Sequence, residues 1–189
     1  MGSLCAKSEP PPSDFDPTPD PITALTEKDR YLIVQSWKTI GAKKDIKENG
    51  KEFFLMLFTD YPYTQNYFGI FKNKQLSELR ESPKMKVHAA AVFYFIATYI
   101  EHIEDPETLL GLMEKMVSAH ISRGITVEEF EKIRLEWKKF LPTVMGDDCS
   151  ENLIHAWDKL FKMQTAAFTL MMEELSSEGE EAGDESGSG

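Results

Sequence analysis

The stretch SPKMKVHAAAVFYFIATYIEHIEDPETLLGLMEKMVSAHISRGI, residues 82–125, decides how this chain folds. Ser82 offers a side-chain oxygen to the free N–H groups of a helix start, and Pro83 suits the first helical position, where a missing N–H costs nothing. Met85, His88, Val92, Phe95, Ile96, Tyr99 and Ile103 then recur at helical spacing, which predicts one apolar face. Asp105-Pro106 closes that helix and opens the next, where Leu109, Leu112, Met113, Met116 and His120 share a face until Gly124 stops it. Two helices thus meet at a corner, with His88 far along the first arm and His120 far along the second.

Outward from this pair the pattern stays helical. Thr26 with Asp29 three residues on resembles a capping box, and the helix it opens runs through Leu32, Ile33, Ser36, Trp37 and Ile40 to Gly41. A second helix from about Asp45 turns Phe53, Phe54, Leu57 and Phe58 inward until Tyr61-Pro62 forces a new direction. The aromatic corner YPYTQNYFGIF, residues 61–71, follows. Downstream, one helix passes through Phe130, Ile133, Trp137 and Phe140 to Pro142, and another through Leu153, Trp157, Leu160, Phe161, Phe168 and Met171. No alternation of period two is long enough for a sheet, so the domain reads as all-α.

With 189 residues, 41% apolar and 11% aromatic, the chain suits one packed domain with tails. Six prolines and few apolar side chains predict a disordered, acidic arm over residues 1–25. Residues 174–189, ending in SSEGEEAGDESGSG, predict a second disordered acidic tail, which leaves 26–173 as the domain. The net charge of −11 is concentrated in these ends, and the near-neutral body offers no basic face for nucleic acid. Cys5 and Cys149, the lack of a secretory apolar core and the lack of a run near the ~18 residues of a membrane span predict a cytoplasmic, non-secreted protein.

A single histidine on an apolar helix face is usually a satisfied core or boundary residue. The pair says more. His88 stands 17 residues before Asp105 and His120 stands 15 after it, so each lies on the order of 23–25 Å from the corner along its own arm. If the arms fold as a V, the imidazoles oppose each other. The gap would be lined by Val92, Phe95, Met116, Ile125, Phe130 and Ile133, too apolar for zinc and short of its third and fourth ligands. A flat apolar macrocycle that supplies four nitrogens of its own needs only axial ligands, and haem meets both conditions.

Over residues 26–173 these features resemble the globin family. Gly50 falls where a small residue lets the next long helix cross closely, and HAAA from His88 supplies small partners. Pro62 followed six residues later by Phe68 is similar to the family's corner, SPKMKVH places His88 five residues after the proline of the next long helix, and AHISRGI places His120 before a Gly-Ile pair. Trp37 and Trp157 fall at common tryptophan positions in the first and last helices. The resemblance implies a three-over-three helical sandwich binding haem b (iron protoporphyrin IX), with His120 as proximal ligand, His88 as distal histidine, Val92 crowding the ligand and Phe68 as wedge. Phe54, Met116, Ile125, Phe130 and Ile133 complete the implied pocket, although Phe54, Met116 and Ile133 read equally well as ordinary core. Where relatives often place a basic residue for a haem propionate this chain has Ala91, with Arg123 as the substitute, and His102 reads as a cation at a helix C-terminus.

Phe54 donates no hydrogen bond, and in this the chain is similar to neuroglobin and globin X, where the distal histidine often binds the iron itself. That likeness implies bis-histidyl coordination, reversible binding of O2 or NO, with CO and nitrite as further ligands, and a redox, NO-related or sensing role. Nitrite reduction and NO dioxygenation would be side activities dependent on an external electron donor, because the chain has no room for a flavin or nicotinamide module. The alternatives are a pentacoordinate oxygen carrier and a haem-linked signalling adaptor acting through its tails. MGSLCAK partly matches an N-myristoylation motif at Gly2 with a palmitoylation candidate at Cys5, which together would tether the protein to a membrane surface. The other reading is an ordinary disordered terminus or a cloning remnant.

Overall fold

The computed structural model describes residues 12–184, with side chains as far as Leu175. Gly2 and Cys5, the candidate acylation sites, lie outside the described residues. Among these residues there are seven α-helices and no strand: α1 (Glu27–Lys43), α2 (Ile46–Asp60), α3 (Leu76–Glu81), α4 (Pro83–Glu101), α5 (Pro106–Ile121), α6 (Val127–Met145) and α7 (Glu151–Asp184). A 3-10 turn, Pro62–Tyr67, occupies the aromatic corner.

The starts obey local chemistry. Thr26 Oγ1 accepts from the Asp29 N–H at 3.2 Å while the Asp29 carboxylate accepts from the Thr26 N–H at 2.9 Å, the reciprocal cap expected for α1. Ser82 and Asp105 cap α4 and α5, each followed by its proline. The stops differ from expectation in two places. Helix α1 runs past Gly41 to Lys43, because the Asn49 side-chain amide donates to the carbonyls of Ile40 and Lys44, both at 3.0 Å, and so sets the end from outside. Helix α6 runs through Pro142 to Met145 and ends at Gly146, whose φ of 62° lets its N–H turn back to the Pro142 carbonyl. So near the end, the proline removes a single helical hydrogen bond.

At its ends the chain also runs past the expected boundaries. Before residue 26, the Phe15 ring packs on Tyr31 at 5.3 Å, the Asp16 N–H donates to Glu27, and Leu25 is fully buried. Beyond residue 173, the backbone of α7 stays helical to Asp184.

Helices α1, α4 and α5 lie over α2, α6 and α7, with α4 on α2, α1 and α5 on α7, and α6 joining α2 to α7. The α2–α4 crossing is closest at Gly50, where a Cβ would stand 2.8 Å from the Ala89 carbonyl oxygen. Two clusters make up the hydrophobic interior. The larger centres on Phe53, Phe93, Trp137, Phe140 and Trp157, and the Trp157 indole donates to Ser36 Oγ at 2.9 Å. The smaller gathers Met116, Ile125 and Met171 around Val117, Phe130 and Phe168. From the corner at Asp105, α4 and α5 diverge to different partners, one towards each cluster.

Candidate functional site

His88 sits on the inner face of α4, five residues after Pro83. Three phenylalanine rings meet it edge-on: Phe54 from α2 at 5.0 Å, Phe68 at 5.1 Å and Phe71 at 5.7 Å between ring centres. None of them can hydrogen-bond to an imidazole nitrogen, and His88 Nε2 is buried without a partner. Burial, and then the charge of His120, push the His88 pKa below its ordinary value, which favours the neutral ring with a free lone pair.

His120 lies in the last turn of α5, where its Nδ1–H donates to the Met116 carbonyl at 2.7 Å. This bond fixes the ring and leaves Nε2 as the unprotonated nitrogen of the neutral form. The Phe130 ring from the start of α6 stands edge-on to it at 5.3 Å. The Ile125 N–H returns to the His120 carbonyl at 3.3 Å, and Gly124, with φ of 74°, makes that turn without strain.

The remaining expected residues divide between the two sides. Val92 and Ile133 pack against the larger cluster with Phe54 and Phe68, while Met116 and Ile125 pack with Phe130 in the smaller. Val92, Met116, Ile125 and Ile133 are all half-buried. A nitrogen without a partner on one side, an oriented imidazole on the other and apolar walls suit a flat apolar group whose metal wants axial nitrogen ligands. A protein-built metal cage does not suit them, since no group of three or more His, Cys, Asp or Glu among the described residues could hold an ion.

Arg123, exposed just beyond α5, donates one guanidinium N–H to the Ala119 carbonyl. Ala91 is exposed, and His102 is the C-terminal cap residue of α4, as its position in the sequence suggests. Two features escaped the sequence reading. Phe71 is the third ring around His88, and its signal was its place one turn after Phe68 in FGIF. The Tyr67 hydroxyl donates to the Glu129 carboxylate at 3.0 Å, tying the aromatic corner to the start of α6, where Glu129 also caps Thr126. No local pattern announces a bond between residues so far apart in sequence.

A sequence-family model for the globins matches residues 51–168, more than half of the chain. Among individual relatives, a globin of the whelk Buccinum undatum is 30% identical over 141 residues, covering 74% of this chain and 96% of its own, and one of Nerita albicilla is 29% identical over 140 residues, covering 74% and 88%. Among solved structures, ferric myoglobin of Aplysia limacina superposes with a TM-score of 0.71 at 23% identity, covering 77% of this chain and 97% of its own. A hexacoordinated heme protein from an anhydrobiotic tardigrade superposes with a TM-score of 0.71 at 25% identity, covering 79% and 96%. Family match, relatives and fold agree: this chain belongs to the globin family.

Proposed function

We propose that this globin holds haem b between α4 and α5, with His120 Nε2 as the proximal iron ligand and His88 Nε2 as the sixth ligand of the resting state. The observation that carries the reading is the buried His88 Nε2, which no group of the protein satisfies. Leaving a buried polar atom unpaired costs about 1–3 kcal/mol, so a nitrogen kept among three phenylalanines suits a metal ligand better than a hydrogen-bond donor to water. The tardigrade relative, described as hexacoordinated, supports the same assignment.

When bound, haem would supply an iron that takes nitrogen ligands from the protein and binds small gases such as O2, NO or CO. The protein's part is then to orient and to exclude. Met116 holds His120 in one tautomer, Phe130 holds its ring edge, and Val92, Met116, Ile125 and Ile133 form apolar walls that exclude water. Phe54 offers no donor, so His88 is the single polar group among the named distal residues. It would be the group able to donate a hydrogen bond to a ligand bound there. A site closed by its own histidine suits redox chemistry with an external electron donor, reactions of NO or nitrite, or sensing, better than bulk oxygen storage.

Visible absorption of the purified holoprotein, ferric and then dithionite-reduced under nitrogen, tests the reading. Sharp low-spin bands in the reduced wild type that collapse to one broad high-spin band in His88→Leu are expected. A broad high-spin band already present in the reduced wild type would refute six-coordination. It would leave His88 as a hydrogen-bond donor in a pentacoordinate oxygen-binding globin.

A further inference from the structure

A groove of about 420 Å³ opens between α2, α3 and α6, and none of the residues around His88 or His120 lines it. Leu55, Met56 and Leu76 give it an apolar wall. Five charged side chains complete it, and four of them are already paired. Arg80 donates to Glu52 at 2.7 Å, and Lys139 forms an ion pair with Asp60. The fifth, Glu136, shares Lys139 with Asp60. Its side chain is 1% exposed, neither carboxylate oxygen has a hydrogen-bond partner, and the Lys139 ammonium stands 3.6 Å away, already engaged by Asp60.

A buried carboxylate with both oxygens unbonded is costly, and the cost falls when a cation that donates hydrogen bonds reaches it. Burial pushes the Glu136 carboxyl above the usual range; the charge of Lys139 opposes that push and the charge of Asp60 adds to it. Three carboxylates against two bases leave the groove short of one positive charge, which disfavours anions. A hard divalent ion is disfavoured too, because Glu52 and Asp60 are committed to Arg80 and Lys139, and one free carboxylate falls far short of the oxygen shell such ions take. An ammonium on a short alkyl chain meets both surfaces.

We propose that this groove binds a small primary alkylammonium, its N–H groups donating to the Glu136 carboxylate and its alkyl body lying on Leu55, Met56 and Leu76. The half-exposed Lys139 keeps its pair with Asp60 and gives up its longer one with Glu136 to admit it. The site is independent of the haem assignment, since the two share no residue.

Isothermal calorimetry of the full chain near neutral pH with n-butylammonium chloride tests the proposal, with tetramethylammonium chloride as a cation that lacks N–H donors. Saturable binding of n-butylammonium to the wild type is expected, weakened at least about tenfold in Glu136→Gln, as befits loss of a charged hydrogen bond. Tetramethylammonium should give no saturable heat. Ser77→Trp, at an exposed position on α3, should block the groove without touching Glu136 and abolish binding, with far-ultraviolet circular dichroism showing unchanged helix in both variants. Absence of saturable binding to the wild type, equal affinity in Glu136→Gln, or equal binding of tetramethylammonium would overturn the proposal.

Discussion

Replacing Gly50 by alanine sets two effects of opposite sign against each other. Alanine in place of glycine inside a helix stabilises by about 1 kcal/mol, because less backbone entropy is lost on folding. At Gly50, however, the new Cβ would sit 2.8 Å from the Ala89 carbonyl oxygen and 3.0 Å from the Phe93 ring. The first neighbour is backbone and the second belongs to the packed centre of the larger cluster, so neither yields without moving α4. Overpacking of this kind costs about 1–3 kcal/mol, and the net expectation is a destabilisation of up to about 2 kcal/mol. Gly41 in α1 and Gly111 in α5 supply controls in the same molecule, since a Cβ at either meets nothing within 4 Å. Gly41→Ala and Gly111→Ala should therefore stabilise, by up to about 1 kcal/mol each. Urea unfolding of the three variants measures all three signs at once. Because Ala89 is next to His88 in sequence, Gly50→Ala should also shift the visible spectrum of the holoprotein, whereas the controls should not. If Gly50→Ala were as stabilising as the controls, the α2–α4 crossing would be looser than described and the reasoning would fail.

Other expectations rest on single contacts. Asn49→Ala removes two hydrogen bonds to the carbonyls that end α1 and should lower stability by about 1–3 kcal/mol in the same urea assay; a loss under a few tenths would show that water replaces the amide. Tyr67→Phe should cost less than about 1 kcal/mol globally yet raise amide hydrogen exchange over residues 61–71, and unchanged exchange there would deny the Glu129 contact any role in holding the corner. Glu48 has its carboxyl lowered to about 2 by hydrogen bonds from Lys51 and then Lys86, the latter reaching across from α4. A lowered folded-state value means stability present above the ordinary carboxylate value and lost as pH falls towards about 2. The groups are largely solvated, so Glu48→Gln should cost under about 1 kcal/mol at neutral pH, and its deficit against wild type should vanish in acid. A deficit independent of pH would refute that account.

What the sequence made legible was what short-range chemistry writes into it. Ser82-Pro83, Asp105-Pro106 and the Thr26/Asp29 box start helices by contacts within four residues, so pattern alone located α1, α4 and α5. Gly41 and Pro142 misled as stops because helix ends answer to partners elsewhere: Asn49 lies beyond the chain reversal, and Gly146 could turn back where Pro142 did not. The same limit applies around the histidines. Phe54 and Phe68 were named from a family resemblance, but the third ring, Phe71, depended on how the corner folds back over α4. The hydrogen bond from Arg123 to the Ala119 carbonyl likewise depended on how the turn after α5 closes. Glu136 carries no sequence signal of its own, because burial of a polar side chain is decided by neighbouring helices and leaves no periodic trace.

The division of the interior bears most on α5. Its first half is anchored by Leu109 and Met113 in the larger cluster, while its last turns, with Val117 and His120, rest on the smaller one around Phe130 and Phe168. The cost of fraying those turns is therefore set by a few side chains and by whatever His120 grips. A group held by His120 would escape by way of that fraying, so its residence time and the lifetime of the helix end would be one quantity seen from two sides. Shortening Val117 or Phe168, both fully buried, would therefore shorten both times without altering either histidine.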